Sequence, residues 1–465
     1  MPIRLFDSQR HEMVDFTPIV PGAVSLYVCG PTVQSSPHVG HLRSALVYDL
    51  WARWFGYRGL NVTMVRNVTD IDDKVLEQGE GSSEAWWALA ERIEAEFASV
   101  TDAINILRPT KQPRATGDIP AMVDMIQVLM RSDHAYASED GSGDVYFDVS
   151  AWPEYGQLTN QSVENLQQGS GESGAKRNPE DFALWKGHKQ GEPDTAAWDA
   201  PWGAGRPGWH IECSAMATRY LGSHFDIHGG GMDLRFPHHE NELAQARAAG
   251  HRYANHWMHN ALVTVKSQKM SKSLGNGVLA ADLLKQAPPL VVRYALASAH
   301  YRSELDLHDG FLAEAASALG RIETFLSRAH SAGIDTTTGD VPDAFVQAMD
   351  DDLGIPQALA VIHEAVREGN QAFDDDKTKV AGRLAGSVRA MMAILGLDPL
   401  DSAWSAGSSQ SASALSSVVE SVLDLRAQAK AEKDFAQSDA LRAILDTAGI
   451  DVSDGPTKST WSIRG

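Results

Sequence analysis

The sequence predicts an α/β protein built on a doubly wound parallel sheet, with an insertion inside the sheet domain and a helical region after it. Three observations predict this. Apolar residues 24–29, a helix-spaced run after His41 and apolar residues 60–65 read as strand, helix and strand, the parallel βαβ unit. Strand character returns at Phe225-Asp226-Ile227 after a long stretch of different composition. From about Leu283 to Leu397, Ala, Leu, Glu and Arg recur at three- and four-residue spacing, the pattern of packed helices.

Taken in order, residues 1–112 form the first half of the sheet domain. Leu42, Ala45, Leu46, Leu50 and Trp54 fall on one helical face, and Gly56-Tyr57-Arg58-Gly59 turns the chain into the second strand. Residues 113–202 read as the insertion, with a hairpin near Gly143-Asp144-Val145 and a glycine- and serine-rich stretch over 167–174. The second half of the sheet domain is 203–265, with a helix expected from Pro237 to Gly250. Residues 266–325 carry a lysine-bearing loop, 326–401 a helical bundle, 402–417 a Ser/Ala-rich linker, and 418–465 a last helix-rich piece. Ligands of such sheets bind at the carboxyl ends of the strands.

At 465 residues and 43% hydrophobic, the chain is long enough for two or three cores. The amino terminus lacks a charged-then-apolar leader, and no window approaches the roughly 18 apolar residues of a membrane span. The cytoplasm is therefore the expected location, and no membrane partner is expected. The two cysteines lie far apart in the sequence, so both thiols are free for packing or metal. A net charge of −21 excludes a strongly basic nucleic-acid binder; RNA would have to meet local patches. The acidic runs Asp350-Asp351-Asp352 and Asp374-Asp375-Asp376 read as solvated helix ends.

Four motifs carry chemistry. His38 and His41 share a face at a helix start, with Gly40 leaving room between them. A helix amino terminus adds amide donors, so the pair suits a phosphate on which charge develops. Lys269-Met270-Ser271-Lys272-Ser273 puts two ammonium groups on one loop and can hold pyrophosphate. His228-Gly229-Gly230-Gly231-Met232-Asp233 reads as a strand end, a three-glycine turn and a carboxylate able to accept ribose hydroxyls. Cys29, Cys213, His238 and Glu242 offer donors that zinc accepts, with His238 and Glu242 four residues apart; two buried core thiols are the plain alternative for the cysteines.

With these residues in view, together with Tyr27-Val28-Cys29-Gly30, Asn67-Val68-Thr69-Asp70-Ile71-Asp72-Asp73, Gly208-Trp209-His210-Ile211-Glu212-Cys213 and Phe236-Pro237-His238-His239-Glu240-Asn241-Glu242, the chain resembles the bacterial cysteinyl-tRNA synthetases from about Arg4 to Trp461. The resemblance implies the Rossmann-like fold of the class I synthetases. It implies activation of L-cysteine by ATP to cysteinyl adenylate and transfer to the terminal ribose of tRNA(Cys). On it, His38, His41, Lys269 and Lys272 are catalytic; Gly40, Gly230, Asp233 and Lys272 bind ATP; Thr32, Thr69, Trp209 and His228 line the cysteine pocket. Cys29, Cys213, His238 and Glu242 hold one Zn2+ that takes the substrate thiol, and Mg2+ accompanies ATP. A monomer, a stem contact within 266–325 and an anticodon-reading tail over 418–465 are also implied. The basic residues Arg426, Lys430, Lys433 and Arg442 are the tail's candidates for meeting tRNA, with solvated helix faces the simpler account. The chain departs from the commoner pattern at Val39, where isoleucine is usual, and in the loop over 31–37, which lacks a Tyr-Asp pair.

Two rivals remain at this level. A related ligase joins cysteine to an amino sugar of mycothiol synthesis with the same signatures, but without a ligand matching Glu242 and with a shorter chain. A non-catalytic synthetase-like RNA-binding protein would not require both phosphate signatures.

Overall fold

The structure, a computed structural model, describes residues 2–160, 176–270, 275–336, 339–404, 409–432, 434–454 and 459–463. It divides into two compact units, Met1–Asp398 and Pro399–Gly465.

In the first unit an antiparallel hairpin, β1 (Arg4–Asp7) and β2 (Glu12–Asp15), precedes β3 (Ala23–Val28), α1 (Val39–Tyr57) and β4 (Asn61–Arg66). The last three are the expected βαβ unit, and β3 and β4 pair in parallel. Helix α1 is buried on most of its circumference, so it is a core helix. Helices α2 (Asp73–Ser82) and α3 (Trp86–Ala103) lead to the insertion, which opens with α4 (Ile119–Arg131). There β5 (Ala135–Ala137), β6 (Val145–Phe147), β7 (Phe182–Gly187) and β8 (Gly205–Pro207) make an antiparallel sheet in that order. Because β8 pairs with β7 through Pro207, this sheet runs past the expected boundary at 202.

After α5 (Trp209–Leu221) come β9 (His224–Gly231), α6 (Glu240–Ala248) and β10 (Tyr253–Asn260). The central sheet is thus β10–β9–β3–β4, all parallel, and its winding reverses between β3 and β9. Such a switch point opens a crevice beyond the carboxyl ends of the two strands. A small sheet of β11 (Val263–Val265), β12 (Gln268–Lys269) and β13 (Leu305–Leu307) and helices α7 (Ala280–Leu284) and α8 (Pro289–Ala297) join it to the bundle. The bundle holds α9 (Phe311–Ser331), α10 (Asp343–Asp350), α11 (Ile355–Asp374) and α12 (Thr378–Ile394).

The second unit pairs α13 (Ser409–Ala431) with α14 (Phe435–Thr447) and adds an antiparallel hairpin, β14 (Ile450–Asp454) and β15 (Ser459–Ile463). Val419, Leu423, Leu445 and Ile450 form its small core.

Four expectations need correction. The helix thought to start at Pro237 starts at Glu240; residues 235–239 form a tight turn in which Phe236 is extended (φ −140°, ψ 134°). The three glycines over 229–231 are no turn: they continue β9 and pair with Met258, His259 and Asn260. The Ser/Ala-rich stretch is helical from Ser409, since alanine is the strongest helix former and serine costs little there. The acidic run at 350–352 is not solvated throughout. Asp350 and Asp352 are each 3% exposed, Asp350 pairing with Arg58 and Asp352 with Arg302.

Candidate active site

The carboxyl ends of β3 and β9 open onto a cavity of about 620 Å³ whose wall includes Cys29, Thr32, His38, His41, Trp209 and Asp233. Gly40 and Lys269 also border it. Thr69, His228 and Gly230 are buried behind this wall. Lys272 lies outside the described residues.

The two signature histidines organise the start of α1. His38 is the N-cap, its Nδ1 accepting from the Gly40 amide at 3.1 Å, while His41 Nδ1 accepts from the His38 amide at 3.3 Å. The rings stack at 3.7 Å. A neutral imidazole that accepts at Nδ1 carries its proton on Nε2, so this cap sets the Nε2–H donor tautomer on both rings. Burial, then the neighbouring His38, lowers His41 to about 3. A β-carbon at Gly40 would stand 2.9 Å from His38 Cε1, so the donor pair requires glycine there.

The glycines of β9 have the same explanation. Added β-carbons would meet the Tyr48 ring at 2.3 Å from Gly229, His239 Cε1 at 2.7 Å from Gly230 and Asp233 Oδ1 at 2.4 Å from Gly231. Gly230 donates its amide to Tyr48 at 2.5 Å, and it is Gly231 and Asp233 that reach the cavity.

Cys29, Cys213, His238 and Glu242 converge until one ligand atom from each lies within 4.8 Å of the others, all buried. Cys29 Sγ stands 3.6 Å from Cys213 Sγ and 3.3 Å from Glu242 Oε1, and His238 Nε2 is 3.1 Å from the same oxygen. Cys29, His228, His239 and Glu242 make an overlapping group with a single thiol. The first set has two thiols, and His238 meets His210 through Nδ1 at 2.9 Å, which leaves Nε2 for a ligand. Burial pushes the Cys29 thiol well above its ordinary value, raises Cys213 and lowers His238 to about 4. Burial also works to raise Glu242, but His228 and His238 outweigh it and hold the carboxyl low. Buried thiols beside a carboxylate are costly alone and fit a divalent cation that favours thiolates.

Several participants carried no distinct signal in the sequence. Tyr253 donates to Glu242 Oε2 at 2.9 Å, and His239 Nδ1 meets His259 Nε2 at 2.8 Å. Glu212, held well above the ordinary range by burial, accepts from the Thr69 hydroxyl at 2.8 Å. Asn67 accepts from Gly30 at 2.8 Å and donates to Thr69 at 3.2 Å, tying the loop after β4 to the loop after β3. Only the neighbouring motifs could have flagged Asn67 and Glu212. Trp209 stacks on His238 at 4.1 Å, joining the cavity wall to the metal-type cluster.

Residues 15–317 match the family of tRNA synthetases class I (C) catalytic domains, and residues 344–399 match the DALR domain. A cysteine–tRNA ligase of Clavibacter sepedonicus is 56% identical with all of both chains covered. Those of Leifsonia xyli and Streptomyces avermitilis are 56% and 51% identical over 100% of this chain and 100% and 99% of theirs. The chain belongs to the cysteine–tRNA ligase family. Full-length identity to proteins of that name favours a cysteine–tRNA ligase over the amino-sugar ligase. The fold of the chain is also similar to that of Mycobacterium tuberculosis methionyl-tRNA synthetase solved with methionyl-adenylate: TM-score 0.59 at 16% identity, covering 81% of this chain and 90% of that one. No helix among the described residues is long and apolar enough to cross a membrane.

Proposed function

We propose that the chain joins L-cysteine to tRNA(Cys) in two steps, acting as a monomer in the cytoplasm. In the first, the cysteine carboxylate attacks the α-phosphate of ATP; the bond to the β-phosphate breaks, and cysteinyl adenylate and pyrophosphate result. In the second, a hydroxyl of the terminal tRNA ribose attacks the mixed anhydride and AMP departs.

The side chains act by position and charge. His38 and His41 present Nε2–H donors to the phosphate on which charge builds, beside the amides of the α1 amino terminus. Lys269 and Lys272 balance the pyrophosphate, whose Mg2+ arrives with ATP. Gly40 keeps the nucleotide side open, Gly230 supports it from behind the wall by letting His239 pack against β9, and Asp233 accepts ribose hydroxyls. Thr32, Thr69, Trp209 and His228 shape the cysteine pocket. Cys29, Cys213, His238 and Glu242 would hold Zn2+, which when bound supplies a soft Lewis acid for the substrate thiol and so separates cysteine from serine.

The observation that carries this reading is the meeting of those four buried donors directly behind a cavity whose wall also bears His38 and His41. Cysteine-dependent ATP–pyrophosphate exchange on wild type and Cys213→Ser, with bound zinc quantified and serine as competitor, tests it. Exchange with cysteine alone, lost together with zinc in the variant, is expected. Robust exchange by zinc-free protein would overturn the metal assignment. Joining cysteine to glucosaminyl-inositol without charging tRNA would overturn the acceptor.

A further inference from the structure

Arg66 ends β4 and borders the cavity, yet it is only 6% exposed. Its guanidinium has no hydrogen-bond or ion-pair partner among the described residues, and its Nε is a buried donor without an acceptor. The guanidinium lies over the Phe97 ring, 5.1 Å from Cζ. The carboxylates whose charges reach it are engaged elsewhere. Asp49 accepts from Arg53 at 3.0 Å, Arg293 at 2.5 Å and the Leu107 amide at 2.8 Å, and Asp102 pairs with Arg108. Lys74 borders the same cavity, exposed and likewise without a side-chain partner among the described residues.

A guanidinium buried without a counter-charge is costly unless a ligand supplies one, and its planar fork matches a phosphate. The position of the strand indicates which phosphate. Gly231, Asp233 and Asn260 border the cavity from the ends of β9 and β10, while His38 and Lys269 stand at the α1 start and on β12. Arg66 is on β4, the opposite edge of the sheet, beyond β3. Residues 110–115 pair along the outer side of β4, Arg66 donating its amide to Lys111 at 3.1 Å, so its guanidinium faces a ligand only through the cavity that it lines with Lys74 and Phe97. A basic pair beside an aromatic ring suits a single-stranded RNA end.

We propose that Arg66, with Lys74, binds a backbone phosphate at the 3′ end of the incoming tRNA and so positions the terminal ribose for transfer. This rests on the two-step reading above. The variants Arg66→Gln and Lys74→Ala are compared with wild type in cysteine-dependent ATP–pyrophosphate exchange and in single-turnover transfer from preformed adenylate to tRNA. Arg66→Gln should lower transfer at least tenfold more than exchange, with a smaller bias in Lys74→Ala. The log–log salt slope of tRNA binding should shallow by about 0.7 in Arg66→Gln, the value for one lost single-strand phosphate contact. A tRNA with a neutral methylphosphonate at each of the last two linkages in turn provides the decisive arm. One such linkage should reproduce the loss on wild type and add little to Arg66→Gln. Equal losses in both half-reactions, or full additivity of variant and methylphosphonate, would overturn the assignment and point to ATP or the cysteine carboxylate. If Arg66→Gln fails to fold, methylphosphonate tRNA on wild type and Lys74→Ala gives the same decision. Absence of exchange in wild type would instead overturn the two-step reading itself.

Discussion

His228 Nε2 donates to Glu242 Oε2 across 2.8 Å, with both side chains fully buried. The same oxygen accepts from Tyr253, while Oε1 faces Cys29 and His238. One carboxylate is thereby divided into a fixed side and a ligand side. A metal's second layer of partners sets ligand orientation in this way.

Removal of one of these anchors should loosen the metal without removing a ligand. Tyr253→Phe keeps the ring, which packs edge-on to Phe225 at 5.0 Å, and deletes only the hydroxyl. We expect zinc affinity to fall roughly tenfold or more, read by competition with a chromophoric chelator. Unchanged affinity would mean that His228 alone fixes Glu242.

The depressed pKa of His41 gives a pH prediction with a definite sign. Folded His41 binds its proton only near pH 3, because burial and His38 oppose the charge, while an unfolded histidine binds one below about 6.5. Between those values the unfolded state holds more protons, so stability should fall as pH falls from about 6.5 toward 3. The labelled His41 ring resonance should not titrate between pH 8 and 5 in the ligand-free protein. A midpoint near 6 would show that the ring takes up a proton in mild acid, and that burial does not hold Nδ1 free to accept the His38 amide there.

The sheet and the site were legible in the sequence to unequal degrees. Strands 24–29 and 60–65 were found within a residue or so because a buried parallel strand is a continuous apolar run. The glycines over 229–231 were misread, because composition cannot distinguish a glycine needed for a turn from one needed because Tyr48 or His239 lies against the backbone. Asp352 reads as solvated in the sequence, yet it accepts from Tyr301 at 2.6 Å, Arg302 at 2.6 Å and the Phe6 amide at 2.9 Å. Its partners are distant in sequence, and no local pattern reports them. Arg426, expected at the surface, is 3% exposed; Lys430 and Arg442 are exposed, and Lys433 lies outside the described residues.

Arg293 should be a stability determinant that does not itself line the cavity. It is fully buried, bonded to Asp49 at 2.5 Å and to the carbonyls of Ile104, Asn105 and Leu395 at 2.7–3.0 Å, so it joins α1, the end of α3 and the end of α12. Arg293→Met leaves those acceptors and part of the Asp49 charge unmet, and a broken buried pair costs about 3–5 kcal/mol. Urea unfolding should show a midpoint lowered accordingly. A loss under about 1 kcal/mol would mean that Arg53 alone satisfies Asp49.

Gly40→Ala separates the demands of folding from those of the site. In a helix interior alanine is favoured over glycine by about 0.5–1 kcal/mol, and Gly40 is the second residue of α1. The new methyl would nevertheless stand 2.9 Å from His38 Cε1 and 3.0 Å from Nδ1, displacing the ring that caps the helix and stacks on His41. Loss of the cap costs about 1 kcal/mol, so the two effects nearly cancel in stability. They do not cancel in the site, where misplacing a donor to developing charge costs a hundredfold or so. A melting temperature within a few degrees of wild type, with kcat for ATP–pyrophosphate exchange down by about two orders of magnitude, is the expected pairing. Full activity at unchanged stability would show that His38 can move aside without cost, and that its place at the head of α1 serves the helix alone.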